Sequence, residues 1–404
     1  MIPRRWSYPK IRSLIRLTVL LHTVALLVFP KNALGFRPED LTGALTLAVI
    51  VILAITTPLA VPTRWFARLI GVYLLYFLCV LVLRDFPQGY YQASVFWFKE
   101  ASYIAFGYLI WLGYRTNPQA FIRIACVLAV PNLAYGFYQI LTGPSGIYGA
   151  APFGHAHSPS SAGMVYFGLS LILFTWLVVE KPPKWAMSPF LLSLVLVFAS
   201  GSKIAVVGAA VFFGWYMAQT VWNDPTPRAL IRLTAVIAVA VAATAVAVAL
   251  GSFGAWSGLG RYAGFLQPVQ VLAERGIWWK LRWIDSPLSA VIGAGYSPPH
   301  VVPGEPYTFG MAMDNQGLYY LVTGGALSLV LYFFLLGAIY VMAPPRSPEG
   351  KLLRAGVMAY VFMGLGAEVL QLSIHGNVFW LLVGMCLALT THRSAPLSQR
   401  YATP

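Results

Sequence analysis

Runs of about twenty apolar residues recur along this chain between short polar breaks, and they constrain its fold more than any other feature. A segment that enters hydrocarbon must satisfy its own backbone N–H and C=O groups, so such runs have to be helices. We place them at roughly 15–30, 41–60, 66–83, 93–113, 119–141, 163–179, 185–199, 203–222, 229–250, 316–343, 351–373 and 376–391. That makes about twelve crossings of a hydrocarbon core ~30 Å thick. Composition agrees, since 59% hydrophobic and 10% charged residues among 404 leave too few charges to cover a soluble globule. The predicted fold class is all-α: a polytopic integral membrane protein of about 12 transmembrane helices, one bundle over 1–404 with no separate soluble domain.

Charge placement orients the bundle. With the N-terminus inside, one side collects Arg4, Arg5, Lys10, Arg12 and Arg16, then Arg64, Arg68, Arg115 and Arg123. Further along it collects Lys181, Lys184, Arg228, Arg232, Arg346, Lys351, Arg354, Arg393 and Arg400. This is the bias that short cytoplasmic loops carry, and it puts both termini in the cytoplasm. Most of the net charge of +15 is accounted for in this way, beside anionic headgroups, so nucleic acid is not an expected partner. The first 35 residues have the layout of a signal peptide, but its removal would spoil the even number of crossings, and we read an uncleaved first span. Cys79, Cys126 and Cys386 all fall in apolar spans and show neither disulfide nor metal-ligand spacing.

Two longer insertions face the opposite side. The first, 142–162, is rich in Gly, Pro and Ser and has no helical pattern. The second, 251–315, is cationic and aromatic. Within it, 271–284 reads as a short amphipathic helix whose Trp278, Trp279 and Trp283 suit the membrane interface. Arg275, Lys280 and Arg282 then lie at headgroup depth, where a lipid diphosphate is found.

Three places carry residue types suited to chemistry on an anionic substrate. Ser202-Lys203 opens a span after the small residues Ala199, Ser200 and Gly201, so a helix N-terminus and a full positive charge meet at the outer mouth. A snorkelling interfacial lysine is the plain alternative. Arg275 offers a bidentate fork to phosphate oxygens, or a simple headgroup anchor. Asp314-Asn315 precedes an apolar span, where a carboxylate is either a helix cap or a proton acceptor. Arg84 with Asp85, Lys99 with Glu100, and Glu368 are further charges in or near hydrocarbon; Lys99 and Glu368 are suited to pair across helices, or Glu368 to line an acceptor path. His155 and His157 stand two apart in the first insertion with no carboxylate partner, which is a weak metal signal. No obligatory metal and no cofactor is expected.

The order of these pieces resembles the O-antigen ligase and Wzy-type polysaccharide polymerase superfamily of bacterial inner-membrane glycosyltransferases. The pieces are Gly154-His-Ala-His157-Ser-Pro159, Ser202-Lys203, Arg275-Gly-Ile-Trp278, Pro287-Leu, Gly293-Ala-Gly295, Asp314-Asn315 and Gly324-Gly325. They span about 140–345. Two departures stand out: Lys203 occupies a position where the ligases typically have arginine, and Asp314 one where they typically have histidine. The second favours polymerase over ligase. The resemblance implies a GT-C-like bundle and a metal-independent, inverting transfer of glycan from an undecaprenyl-diphosphate donor at the periplasmic face. Arg275 and Lys203 would stabilise the leaving diphosphate, and Asp314 would orient or deprotonate the acceptor hydroxyl. Ser202, Lys280, Arg282, Asn315, His155, His157 and Glu368 are the expected substrate-binding residues. The expected partners are the lipid-linked donor, a lipid-linked glycan acceptor, membrane lipids and a chain-length regulator. A ligase delivering glycan to lipid A-core is the nearest alternative. A flippase for lipid-linked sugars is a third, disfavoured because neither an inverted repeat nor a second cationic cluster is visible.

Overall fold

The computed structural model describes residues 8–28, 38–56, 60–89, 91–142, 159–223, 284, 286–296, 315–366 and 373–394. All regular structure among them is helical. The helices are α1 (Tyr8–Leu27), α2 (Pro38–Thr56), α3 (Arg64–Val80), α4 (Ser94–Tyr114), α5 (Pro118–Thr142), α6 (Pro159–Glu180), α7 (Met187–Ala199) and α8 (Lys203–Asn223). There follow the short α9 (Pro287–Ile292), then α10 (Gln316–Met342), α11 (Pro348–Gly364) and α12 (Ser373–Ser394). Eleven of the twelve apolar runs coincide with a helix, and the run at 229–250 lies outside the described residues.

Seven of these helices are long and apolar enough to cross a membrane: α2, α3 with its extension to Gln88, α5, α6, α8, α10 and α12. Twelve crossings is thus a finer statement than the helices make by themselves. At 13 residues α7 is only ~20 Å long. α11 has 17 residues, α1 carries Lys10, Arg12 and Arg16, and α4 carries Lys99 and Glu100.

Local sequence explains the helix starts. α2 opens on Pro38-Glu39-Asp40, with proline where no N–H is needed and two carboxylates at the positive end of the helix dipole. Ser347 caps α11 by accepting the Gly350 N–H at 3.0 Å, with Pro348 next in line. Helices α5 and α6 run antiparallel, as do α11 and α12, while α2 and α4 run parallel, and ion pairs at their ends record this. At one end Arg123 of α5 meets Glu180 of α6 at 2.8 Å, and Arg393 of α12 meets Glu349 of α11 at 3.1 Å. At the other end Lys99 of α4 meets Asp40 of α2 at 3.2 Å. Lys99 therefore has Asp40 as its ion-pair partner, where the sequence reading considered Glu368, which lies outside the described residues. We call the first of these ends inner and the second outer, after the charge bias in the sequence.

The core centres on α12, which packs on α4, α11 and α6 and is the most deeply enclosed of the apolar helices. Apolar side chains gain little over lipid tails here, so close backbone approach through small residues does more to hold such helices together. A Cβ on Gly107 of α4 would sit 2.6 Å from the Trp380 carbonyl oxygen of α12, and Gly384 meets the Gly107 carbonyl one turn on. Buried polar side chains tie further helices to this core. The His22 ring of α1 bridges Thr42 Oγ1 of α2 and Asn377 Oδ1 of α12, each at 2.9 Å.

Candidate functional site

α10 is not the uninterrupted helix its apolar run predicts. It breaks at Gly324 and Gly325, with φ of +67° at Gly325. A break inside hydrocarbon strands carbonyls, and each must find a donor within the protein. Here two of the donors come from the segment that follows α9 and the others from side-chain hydroxyls. Ser286 and Ser289 cap α9 reciprocally, and the helix ends at Gly293 with φ +82°. The chain then runs beside the break, so that the Ala294 N–H reaches the Val322 carbonyl at 2.7 Å and the Gly295 N–H reaches the Thr323 carbonyl at 3.0 Å. The Tyr76 hydroxyl donates to the Gly324 carbonyl and the Ser328 hydroxyl to those of Tyr320 and Gly325. Gly293 and Gly325 permit this contact: a Cβ on either would collide with the other segment's backbone. Gly293-Ala-Gly295 and Gly324-Gly325, separate in the sequence reading, are thus the two halves of one clasp.

The clasp is held from a third side by the outer end of α3, which leaves α-helical geometry in a π turn at Leu81–Asp85. Such turns re-aim side chains and are often found at functional sites. Arg84 Nε donates to the Gly293 carbonyl at 3.0 Å, and Asp85 Oδ2 accepts the Tyr296 N–H at 3.1 Å. Asp85 is 1% exposed. Arg84 and Asp85, adjacent in sequence, are both committed to this turn.

Next to the clasp lies a buried carboxylate, Glu100 of α4. It accepts hydrogen bonds from Tyr73 and from Tyr320 (3.0 Å), and the two phenol oxygens are 2.6 Å apart. The Tyr320 ring stacks on Tyr332 at 4.6 Å, while Tyr296 lies against Phe77 and Phe96. Hydroxyl donors spread the carboxylate charge, which is what a buried ion needs to be tolerated. Sequence reasoning identified Glu100 as a charge in hydrocarbon but not its tyrosine partners. The signal was present in Tyr73 and Tyr76 on one helix and Tyr319-Tyr320 on another, hidden because tyrosine counts as apolar in any hydropathy pattern.

A second group occupies the same end. The Ser202 hydroxyl caps α8, accepting the Ala205 N–H at 3.3 Å, so Lys203 stands in the first helical position as the sequence reading expects. Ser200 and Ser202 press against α6, where a Cβ on Gly163 would be 2.7 Å and 2.8 Å from their hydroxyl oxygens. Asn315 caps α10 by accepting the Leu318 N–H at 2.8 Å, and its amide donates to the Leu365 carbonyl at 3.0 Å. Gly366, next in that turn, faces Ile204, with a Cβ there 4.0 Å from Ile204 Cγ1. The turn at 365–366 therefore joins the two helix starts, that of Lys203 and that of Asn315. The capping side chain at 314–315 is Asn315, which is thereby engaged in structure as well as being a candidate for substrate. Arg275, Asp314, Lys280, Arg282, His155, His157 and Glu368 lie outside the described residues. Among the described residues no three of His, Cys, Asp and Glu come together as metal ligands.

This arrangement defines a class, a helical membrane protein whose outer end gathers a broken helix, a buried carboxylate and two capped helix starts. Compared with protein-family models the chain has no match, and no curated protein matches it.

Proposed function

We propose that the protein is a polysaccharide polymerase joining undecaprenyl-diphosphate-linked repeat units by metal-independent, inverting glycosyl transfer. In this reading it is a GT-C-like bundle of about twelve crossings in the bacterial inner membrane, with both termini cytoplasmic and the reaction at the periplasmic face. One observation carries the reading: the turn at 365–366 brings the Ser202-Lys203 and Asn315 helix starts to one end of the bundle. Two of the sequence elements that carry the resemblance, Ser202-Lys203 and Asn315, are thereby held together. Lys203 offers positive charge at a helix start to the departing diphosphate, with Arg275 as its forked partner. Asp314, one residue before the α10 cap, orients or deprotonates the acceptor hydroxyl. The hydroxyl oxygen bonds to the anomeric carbon as the bond to the diphosphate breaks, and the electron pair leaves on the diphosphate. Holding both lipid-linked substrates in one cavity supplies much of the rate through proximity.

The test is incubation of purified, reconstituted protein with the host's undecaprenyl-diphosphate repeat unit and no other acceptor, following glycan length by mass spectrometry. The expected result is lengthening by the wild type and none by folded Asp314→Ala protein. Absence of lengthening, with transfer instead to lipid A-core, would make the protein a ligase, and failure of both would refute glycosyl transfer.

A further inference from the structure

The break at Gly324-Gly325 leaves the first two turns of α10, residues 316–323, without helical continuity to the rest of that helix. A helix so short does not hold itself in place, and its position is set by the contacts it makes. Its start is tied to the turn at 365–366 through the Asn315 amide, and its end to the clasp through the Val322 and Thr323 carbonyls. Between them the Tyr320 hydroxyl reaches into the bundle and donates to Glu100 Oε1 at 3.0 Å, and the Tyr73 hydroxyl donates to that same oxygen. Glu100 belongs to α4, which meets α12 backbone to backbone at Gly107 and Gly384. Through Tyr320 the short segment is thus referred to the centre of the fold. Stability does not explain the carboxylate, because replacing a buried ionic group by apolar residues of similar volume is often neutral or stabilising. What apolar packing lacks in hydrocarbon is a fixed register, since a neighbouring side chain is no better a partner than a lipid tail. A charge-assisted hydrogen bond holds its donor at one distance and one angle.

We infer that Glu100 is a positioning residue of the outer site: through Tyr320 it fixes the first two turns of α10, and with them the helix start at Asn315, ~7 Å along the axis from Tyr320. This role rests on the glycosyl-transfer reading, in which the start of α10 handles the acceptor. Glu100 is 4% exposed and acts through the helix rather than on a substrate. Both hydroxyls use Oε1, so the position depends on one acceptor oxygen more than on the negative charge.

The test compares reconstituted variants by glycan lengthening, thermal melting and hydrogen exchange. Glu100→Met combined with Tyr73→Phe and Tyr320→Phe removes the whole polar group at nearly constant volume, so it is expected to melt at or above the wild-type temperature. Its turnover per folded protein is expected to fall by about tenfold or more at unchanged KM. Exchange at the 319–323 amides is expected to accelerate by about tenfold or more, with that of 326–342 unchanged. Wild-type turnover and exchange in this variant would overturn the inference. Glu100→Gln keeps the acceptor oxygen and is expected to recover turnover to within about threefold of wild type. A loss as deep as that of the triple variant would overturn positioning and assign the charge itself to the chemistry. Should the triple variant not fold, Glu100→Asp decides the matter: it withdraws the oxygen by one methylene, so several-fold slower turnover with faster 319–323 exchange is expected, and wild-type values overturn. The exchange measurement needs no glycan. Faster 319–323 exchange in the triple variant of a protein whose wild type lengthens no glycan would refute the polymerase reading alone. Unchanged exchange beside normal lengthening by the wild type would refute the Glu100 role alone.

Discussion

Substituting Gly293 by alanine attacks the clasp at its tightest point. The new methyl group would be driven into the Thr323 carbonyl and the Gly324 nitrogen, at a backbone φ of +82° with ψ of 175°, a conformation that essentially only glycine adopts. The strain costs ~1–3 kcal/mol and the overpacking another ~1–3 kcal/mol. Relief by withdrawing the turn would break the hydrogen bonds of Ala294 and Gly295 and leave two α10 carbonyls unsatisfied. Gly337, in the same helix α10, provides the comparison: it has nothing within 4 Å of a built Cβ. Alanine there is expected to be neutral or to stabilise by ~0.5–1 kcal/mol, since a helical glycine loses more backbone entropy. The two variants are thus separated by about 2–7 kcal/mol, the sum of those contributions. Thermal unfolding of detergent-purified proteins would show Gly293→Ala melting several degrees below wild type and Gly337→Ala at or above it. Hydrogen exchange at the Ala294 and Gly295 amides would accelerate in the first variant only. Coincident melting curves, with those amides still protected, would refute the claim that the clasp depends on glycine.

Tyr320→Phe keeps the ring stacked on Tyr332 and removes one hydroxyl from Glu100 and Tyr73; a loss of ~1–3 kcal/mol in stability is expected, and an unchanged melting temperature would show that the cluster does not help carry the carboxylate. Gly384→Leu forces α12 away from α4 at the Gly107 carbonyl, with lowered folded yield and melting temperature by size-exclusion and thermal assays; wild-type behaviour would mean that this contact is not what joins the two helices.

How much of this was legible in the sequence depends on the range of the interaction. Helix positions were readable because hydrophobic runs of membrane length leave the backbone one way to satisfy itself. Ser202 as the start of α8 was readable because capping acts over three residues. The break in α10 was less so: Gly324-Gly325 stands inside an apolar run of 27 helical residues, and nothing local says whether a glycine pair there is a packing surface or an interruption. The pairing of Lys99 with Asp40 was not legible, because the neighbourhood of α2 and α4 is set by packing.

By itself, the sequence determined that the described regular structure is helical and apolar enough for a membrane, and where most of its helices lie, since each follows from hydropathy read along a line. Only the tertiary structure decided that Gly293 and Gly325 close on each other, that Tyr73 and Tyr320 share Glu100, and that Arg84 is committed through one nitrogen only. Those are contacts between residues up to about 250 positions apart, and the physical reason they escape the sequence is that a buried polar group must be satisfied by some partner, while its own type does not say which.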